Sequence, residues 1–258
     1  MDDLLGLIRS AAGRHGLNLV AAIPISRYDA TVEAQSRAGA VAPGARSAVV
    51  IANGGGAFWQ AFRKHADTHP GWRERDNPLD DFTREVVERD LQPQVISRGA
   101  RCVPVYPFSA APTLNFMALG KAAALAGPSI LGVVVHPVYG PWIAFRAALL
   151  IDRELDAPGD AVGFDPCPSC TVKSCIPACP VGAVEFPKGW DIPRCVAHRM
   201  RVEEPCADRC YARVSCVLGP EHRYLDDELA YHQMRALRSI RGYYLAQAKS
   251  VGSPARDS

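Results

Sequence analysis

The sequence predicts an α+β protein in which helices pack on a mixed sheet and a cysteine-rich module follows. Three observations carry that expectation. From residue 2 to residue 126, stretches with helical apolar spacing alternate with short apolar runs. Over residues 130–152, two apolar runs flank turn chemistry, His136-Pro137-Val138-Tyr139-Gly140-Pro141, and read as an antiparallel strand–turn–strand. Eight of the nine cysteines then fall within residues 167–216.

Each element has its own signal. Residues 2–14 carry Leu4, Leu5, Ile8, Ala11 and Ala12 at helical spacing behind the capping acids Asp2 and Asp3, with Gly16 as a stop. Residues 17–23 are an apolar run and read as a strand. Residues 26–37 read as a helix with Ser26 as N-cap. Residues 44–52, GARSAVVIA, read as a buried strand. Gly54, Gly55 and Gly56 follow it, without the spacing of a dinucleotide loop or the lysine–hydroxyl pair of a P-loop. They read as a tight turn into a helix over 57–66. Residues 67–76 form a polar loop. Asn77 and Pro78 start a long helix with a stripe of Leu79, Phe82, Val86, Val87 and Leu91. Residues 101–106 read as a strand in which Cys102 is a small core residue. Residues 113–126 read as a helix ended by Gly127 and Pro128, residues 130–135 and 142–152 as strands, and residues 226–246 as a last helix.

Composition bounds the partners. Hydrophobic content of 48% and charged content of 22% are ordinary for a globular chain. A net charge of +2 gives no compositional support for nucleic-acid binding. The opening MDDLLGLIRS has acids where a secretory signal has bases, and no stretch reaches the length of a membrane span. The expectation is a cytoplasmic chain, in which thiols stay reduced.

The first four clustered cysteines, Cys167, Cys170, Cys175 and Cys179, follow C-x2-C-x4-C-x3-C-P. The bacterial ferredoxin pattern is C-x2-C-x2-C-x3-C-P, whose fourth cysteine serves the other cluster of a pair. Thiolates are soft ligands suited to iron–sulfur clusters, zinc or copper(I). Two structural zinc sites would also consume eight thiolates, and disulfides would need an oxidising compartment. The intact C-x3-C-P ending, followed by Val-Gly-Ala-Val, favours iron–sulfur over zinc, and eight thiolates are the number two 4Fe-4S clusters need. On ferredoxin logic Cys167, Cys170, Cys175 and the distant Cys216 hold one, and Cys179, Cys195, Cys206 and Cys210 hold the other.

Residues 127–155, GPSILGVVVHPVYGPWIAFRAALLIDREL, and Gly219-Pro220-Glu221-His222-Arg223-Tyr224 resemble blocks of the cobalamin-processing CblC family. Those proteins remove upper ligands from cobalamin on a nitroreductase-like scaffold. The order of that core, the cysteine run and Arg194-Cys195 also resembles epoxyqueuosine reductases and reductive dehalogenases. The resemblance implies a nitroreductase-like corrinoid-binding domain over 1–160 and a ferredoxin-like iron–sulfur module over 161–218. A C-terminal helix over 219–246 would pack back on the first domain, and a disordered tail would follow over 247–258.

It further implies a cobalamin- and iron–sulfur-dependent oxidoreductase. Arg146 and Arg223 would contact the corrinoid, with Tyr139 and Trp142 packing on the ring. The electron donor would be a ferredoxin, flavodoxin or reductase. No catalytic residue is assigned. Epoxyqueuosine reductases carry a catalytic aspartate where Ser109 stands here, so epoxyqueuosine reduction is not expected. His136, in a tight turn before Pro137, reads as structural rather than as a cobalt ligand. A cobalamin-free electron carrier and a non-catalytic corrinoid chaperone are the alternatives.

Overall fold

The computed structural model describes residues 3–109, 114–156, 163–201 and 205–251, with side chains through residue 244. It divides into two compact units. The first comprises Met1–Pro128, Val134–Pro166 and Leu218–Arg223, and the second Ser129–Val133, Cys167–Val217 and Tyr224–Ser258.

The first unit is built on a sheet. Helix α1 (Leu4–Gly13) starts at Asp3, whose carboxylate accepts from the Gly6 N–H at 2.8 Å. Strand β1 (Leu19–Pro24) follows. In place of one helix over 26–37 come α2 (Ile25–Asp29), a 3-10 turn (Ala34–Ser36) and α3 (Ala38–Val41). Strand β2 (Ser47–Gly54) is buried along its whole length, and α4 (Ala57–Thr68) leaves it through the glycine run. Helix α5 (Pro78–Val86) passes through a π turn (Val87–Leu91) into α6 (Gln92–Ile96). Pro93 explains the wider turn, because its ring would clash with the carbonyl one regular turn back. Strand β3 (Cys102–Val105), helix α7 (Phe116–Ala122) and strand β4 (Ile143–Ile151) complete the layer. The helix expected to begin at 113 has its start outside the described residues.

The sheet order is β1-β2-β4-β3, and every pairing is antiparallel. The α+β class stands, but the sheet is antiparallel rather than mixed. A parallel return between β1 and β2 needs a helix long enough to carry the chain back along the strand. The one-turn pieces between them do not do that. One face packs Ala21, Ile23, Val50 and Leu150 against Tyr28, Phe116 and Leu119. Helices α1, α4, α5 and α6 pack on β1, β2, β4 and β3 respectively.

Residues 130–135 do not form the expected strand. Val135 makes a single bridge to Gly127, Gly132 takes φ +73°, and the Ser129 hydroxyl donates to the Val133 carbonyl. The partner expected there for β4 is supplied instead by β2 and β3.

The second unit holds the hairpin of β5 (Val184–Glu185) and β6 (Gly189–Trp190) and the helices α8 (Ile192–Arg201), α9 (Tyr211–Val214) and α10 (Asp226–Val251). Helix α10 belongs to this unit, where Arg199 of α8 donates to the Gln233 carbonyl at 2.8 Å. It runs five residues past the expected end at 246, and residues 252–258 of the expected tail lie outside the described residues.

Tyr28 ties the sheet unit together. It is fully buried; its hydroxyl donates to the Ser36 carbonyl at 2.9 Å and accepts from the Asn115 N–H at 2.8 Å. Tyr28→Phe strands both backbone groups and should cost about 1–3 kcal/mol. The check is the denaturant midpoint followed by tryptophan fluorescence; an unchanged midpoint would show that neither bond stabilises the fold.

Candidate functional site

The cysteine unit has little apolar content, and its thiols are part of its core. Ile130, Cys175, Val184 and Ala212 are buried together, with Cys167, Cys179, Trp190 and Cys210 packed against them. The loops bring the cysteines together in two groups. Around Cys175, which is 8% exposed, the neighbouring thiols are Cys216, Cys167 and Cys170. Around Cys206 they are Cys210, Cys195 and Cys179. The Ser174 hydroxyl donates to the Ser215 carbonyl, which holds the distant Cys216 segment on the Cys175 loop. In chain order the second group therefore nests inside the first.

The electrostatics of each group follow from crowding. Burial, then the neighbouring Cys216, Cys167 and Cys170, pushes the Cys175 thiol up. Burial, then Cys210, Cys195 and Cys179, pushes Cys206 up to about 11. Burial also raises Cys195, opposed by a hydrogen bond from the Trp190 side chain and by the charge of Arg199. Thiols packed this way resist ionising side by side unless cations balance them, and a bound metal deprotonates its thiols outright.

The donor set fits an iron–sulfur cluster in each group. A single zinc ion draws its thiolates onto one point at about 2.3 Å, whereas a cluster gives each thiolate its own iron. Backbone N–H groups point at sulfur, as clusters favour: Ala183 to Cys179 at 3.2 Å, Ile130 to Cys167 and Lys173 to Cys170 at 3.5 Å each. Cys206 takes φ +79°, a backbone strain of about 1–3 kcal/mol that sites often store.

Cys102 stands apart in β3, with burial, then the Asp152 charge, pushing its thiol up to about 12. It has the surroundings of a core residue.

The sheet unit gathers a second set of side chains around Gly54 and Gly55. The Asn18 side chain accepts from the Gly54 N–H at 2.7 Å and donates to the Gly54 carbonyl and the Tyr139 hydroxyl at 3.0 and 3.1 Å. A Cβ on Gly54 would lie 2.4 Å from the Tyr139 ring, so only glycine lets that ring sit there. The Tyr139 ring lies 4.5 Å from that of His222, and the exposed Arg223 guanidinium stands 5.9 Å from the Trp142 ring. Trp142 itself is 0% exposed and among the largest fully buried side chains.

Arg146 is the extra residue of a β-bulge, because Ile51 pairs with Ala147 and Ala52 with Phe145. The bulge turns its side chain inward. It is 7% exposed, donates to the Asn53 side chain at 2.7 Å and lies over the Phe58 ring. Asn53 in turn donates to the Gly55 carbonyl at 3.2 Å. Arg146 thus supports the glycine turn from behind and presents little surface to a ligand.

His136 accepts from the N–H groups of Val138 and Tyr139 on Nδ1 at 3.0 and 3.2 Å. Its proton therefore sits on Nε2, the nitrogen a metal would need. Burial, then His222, holds its pKa below the ordinary value.

Asn18, Asn53 and the pairing of Gly54 with Tyr139 were missed by sequence reasoning. The only signal was the glycine run after a strand, and nothing in it points to a tyrosine far down the chain.

No protein-family model matches the chain. No curated protein sequence matches it either. Solved structures do match in fold. An epoxyqueuosine reductase from Streptococcus thermophilus superimposes with TM-score 0.58 at 13% identity, over 85% of this chain and 66% of the reductase. The B12-trafficking protein CblC of C. elegans does so with TM-score 0.57 at 15% identity, over 93% of this chain and 96% of CblC. A catabolic reductive dehalogenase gives 0.52 at 14% identity, over 95% of this chain but only 36% of its own length. The fold is shared with the proteins that the sequence motifs resemble.

If each group of thiols binds its own cluster, single substitutions separate them. Cys195→Ala and Cys170→Ala should each lower the iron of the anaerobically reconstituted protein from about eight to about four per chain. They should also remove different electron paramagnetic resonance signals. Equal loss of both signals from either change would contradict two independent groups.

Proposed function

We propose that this chain is a corrinoid-binding reductase that takes electrons one at a time through two 4Fe-4S clusters and delivers them to cobalamin. The observation that carries this reading is the pair of thiol groups, Cys167/Cys170/Cys175/Cys216 and Cys179/Cys195/Cys206/Cys210, in a chain that shares its fold with a B12-trafficking protein. When bound, the clusters supply single-electron transfer and the corrinoid supplies a strongly reducing cobalt centre.

The chain's own residues hold, orient and tune. The eight thiolates anchor the clusters. The N–H groups of Ile130, Lys173 and Ala183 and the Trp190 side chain offset negative charge at sulfur. On the sheet unit Tyr139, His222 and the exposed Arg223 form the face for the corrinoid: rings for the macrocycle and a cation for its side-chain carbonyls. Asn18, Gly54 and Arg146 keep that face in place. His136, with its Nδ1 already accepting two hydrogen bonds, would stay a structural residue of the turn and not ligate cobalt.

Reductive removal of an upper ligand, or reduction of a small substrate, is the outcome in keeping with this arrangement. Ser109 at the acid's position argues against epoxyqueuosine as that substrate. A non-catalytic corrinoid carrier is the second reading, favoured by the match over nearly all of CblC. The donor in the first reading is a low-potential one-electron protein.

The test is anaerobic titration with cyanocobalamin and dithionite. Reductant-dependent decyanation, lost in Cys195→Ala, is expected; binding with no decyanation would favour the carrier, and no binding a cobalamin-free electron carrier. Tyr139→Ala and Arg223→Ala should each weaken cobalamin binding about tenfold, about 1.4 kcal/mol. Electron paramagnetic resonance of bound cobalt(II) should lack nitrogen splitting. A nitrogen pattern abolished by His136→Ala would make His136 a ligand after all.

A further inference from the structure

Arg199 sits on α8 one turn beyond Cys195 and is 7% exposed. Its Nη2 donates to the Gln233 carbonyl at 2.8 Å, and the Gln233 side chain donates to the Cys206 carbonyl at 3.2 Å. From α10 the Arg241 guanidinium donates to the Arg199 carbonyl at 3.4 Å. Arg199 has no carboxylate ion pair among the described residues, and its Nε is buried without a hydrogen-bond partner among them. Its guanidinium lies within electrostatic reach of Cys195, Cys206 and Cys210.

Buried cations persist only when something anionic faces them. Here three of the four thiols of one group do. We propose that Arg199 is a potential-setting residue: its fixed positive charge raises the reduction potential of the centre held by Cys179, Cys195, Cys206 and Cys210. The inference rests on the cluster reading above. Reduction adds one electron to that centre, forms no bond and moves no proton, so the centre becomes more negative. A cation beside it favours the reduced form. Because the guanidinium is buried, salt screens this effect less than it would at the surface. In the other group, no cation is among the named influences on the Cys175 thiol, and the Lys173 ammonium, which is only half-buried, donates to the Cys170 carbonyl. The two centres are thereby given different potentials by one side chain.

The rival role is mechanical, with Arg199 acting as a clamp between α8 and α10. Redox titration of the reconstituted full chain, with dithionite as reductant and paramagnetic resonance as readout, separates the two. Arg199→Gln should lower one midpoint by at least about 59 mV, a tenfold change in a one-electron equilibrium, and leave the other unmoved. Arg199→Lys, which keeps the charge, and Gln233→Ala, which breaks the tie to Cys206 but keeps Arg199, should both stay near the wild-type midpoint.

Unchanged midpoints in an Arg199→Gln protein with full iron overturn the proposal. An equal shift in Gln233→Ala overturns it in favour of packing. If Arg199→Gln assembles only one centre, Arg199→Lys decides: two centres support the charge, and one shows that guanidinium shape is what matters and overturns it. Wild-type protein that takes up about four irons, or none, brings down the two-cluster reading itself. That outcome is distinct from two intact clusters with an unmoved midpoint.

Discussion

Like charges dislike company, and the second unit of this protein is organised by that fact. Burial, then the neighbouring thiols, pushes Cys175 and Cys206 up, and burial raises Cys195 as well. A metal bound there would deprotonate its thiols and offset that repulsion. A unit this small, with β5 and β6 of two residues each, has little apolar surface to stabilise it otherwise. The backbone N–H groups, Trp190 and Arg199 all act in the same direction, offsetting negative charge.

The sheet unit solves a different problem, that of holding a partly exposed aromatic face at the end of the interior strand β2. It does so with neutral amides. Asn18 takes both backbone groups of Gly54 and the Tyr139 hydroxyl, and Asn53 joins Arg146 to Gly55. The bulge at Arg146 is what lets a cation enter the sheet, because it releases that residue from the pairing pattern.

Where the chain's local pattern and its tertiary role agree, the sequence was readable. Strands β1, β2 and β4 are mainly apolar runs, and helices α1 and α4 carry plain apolar stripes. Residues 130–135 look like a strand for the same reason and are not one. Ile130 packs among the cysteines, and Gly132 turns the chain so that the Trp190 ring can lie against it. The antiparallel sheet was hidden because helices between strands suggest parallel returns, and only their lengths deny it. Asn18 and Asn53 left no trace, since an amide that bonds backbone far along the chain has no local signature. The cysteine spacing announces soft-metal chemistry and suggests the two sets of thiols; the Ser174–Ser215 contact that brings the Cys216 segment to the Cys175 loop has no local signature.

The nesting of one cysteine group inside the other has a consequence for biosynthesis. As the chain leaves the ribosome, Cys179, Cys195, Cys206 and Cys210 have all emerged while the outer group still lacks Cys216. The inner group can therefore load metal first. The three outer thiols already emerged, Cys167, Cys170 and Cys175, must meanwhile wait unsatisfied, exposed to oxidation or to the wrong ion. Cys216 arrives only after Arg209 can meet Asp208, and the closing contact at Ser215 comes one residue earlier. On the two-cluster reading, a nascent chain stalled between 210 and 216 would hold all four thiols of the inner group and three of the outer, so the order of translation would also order metallation.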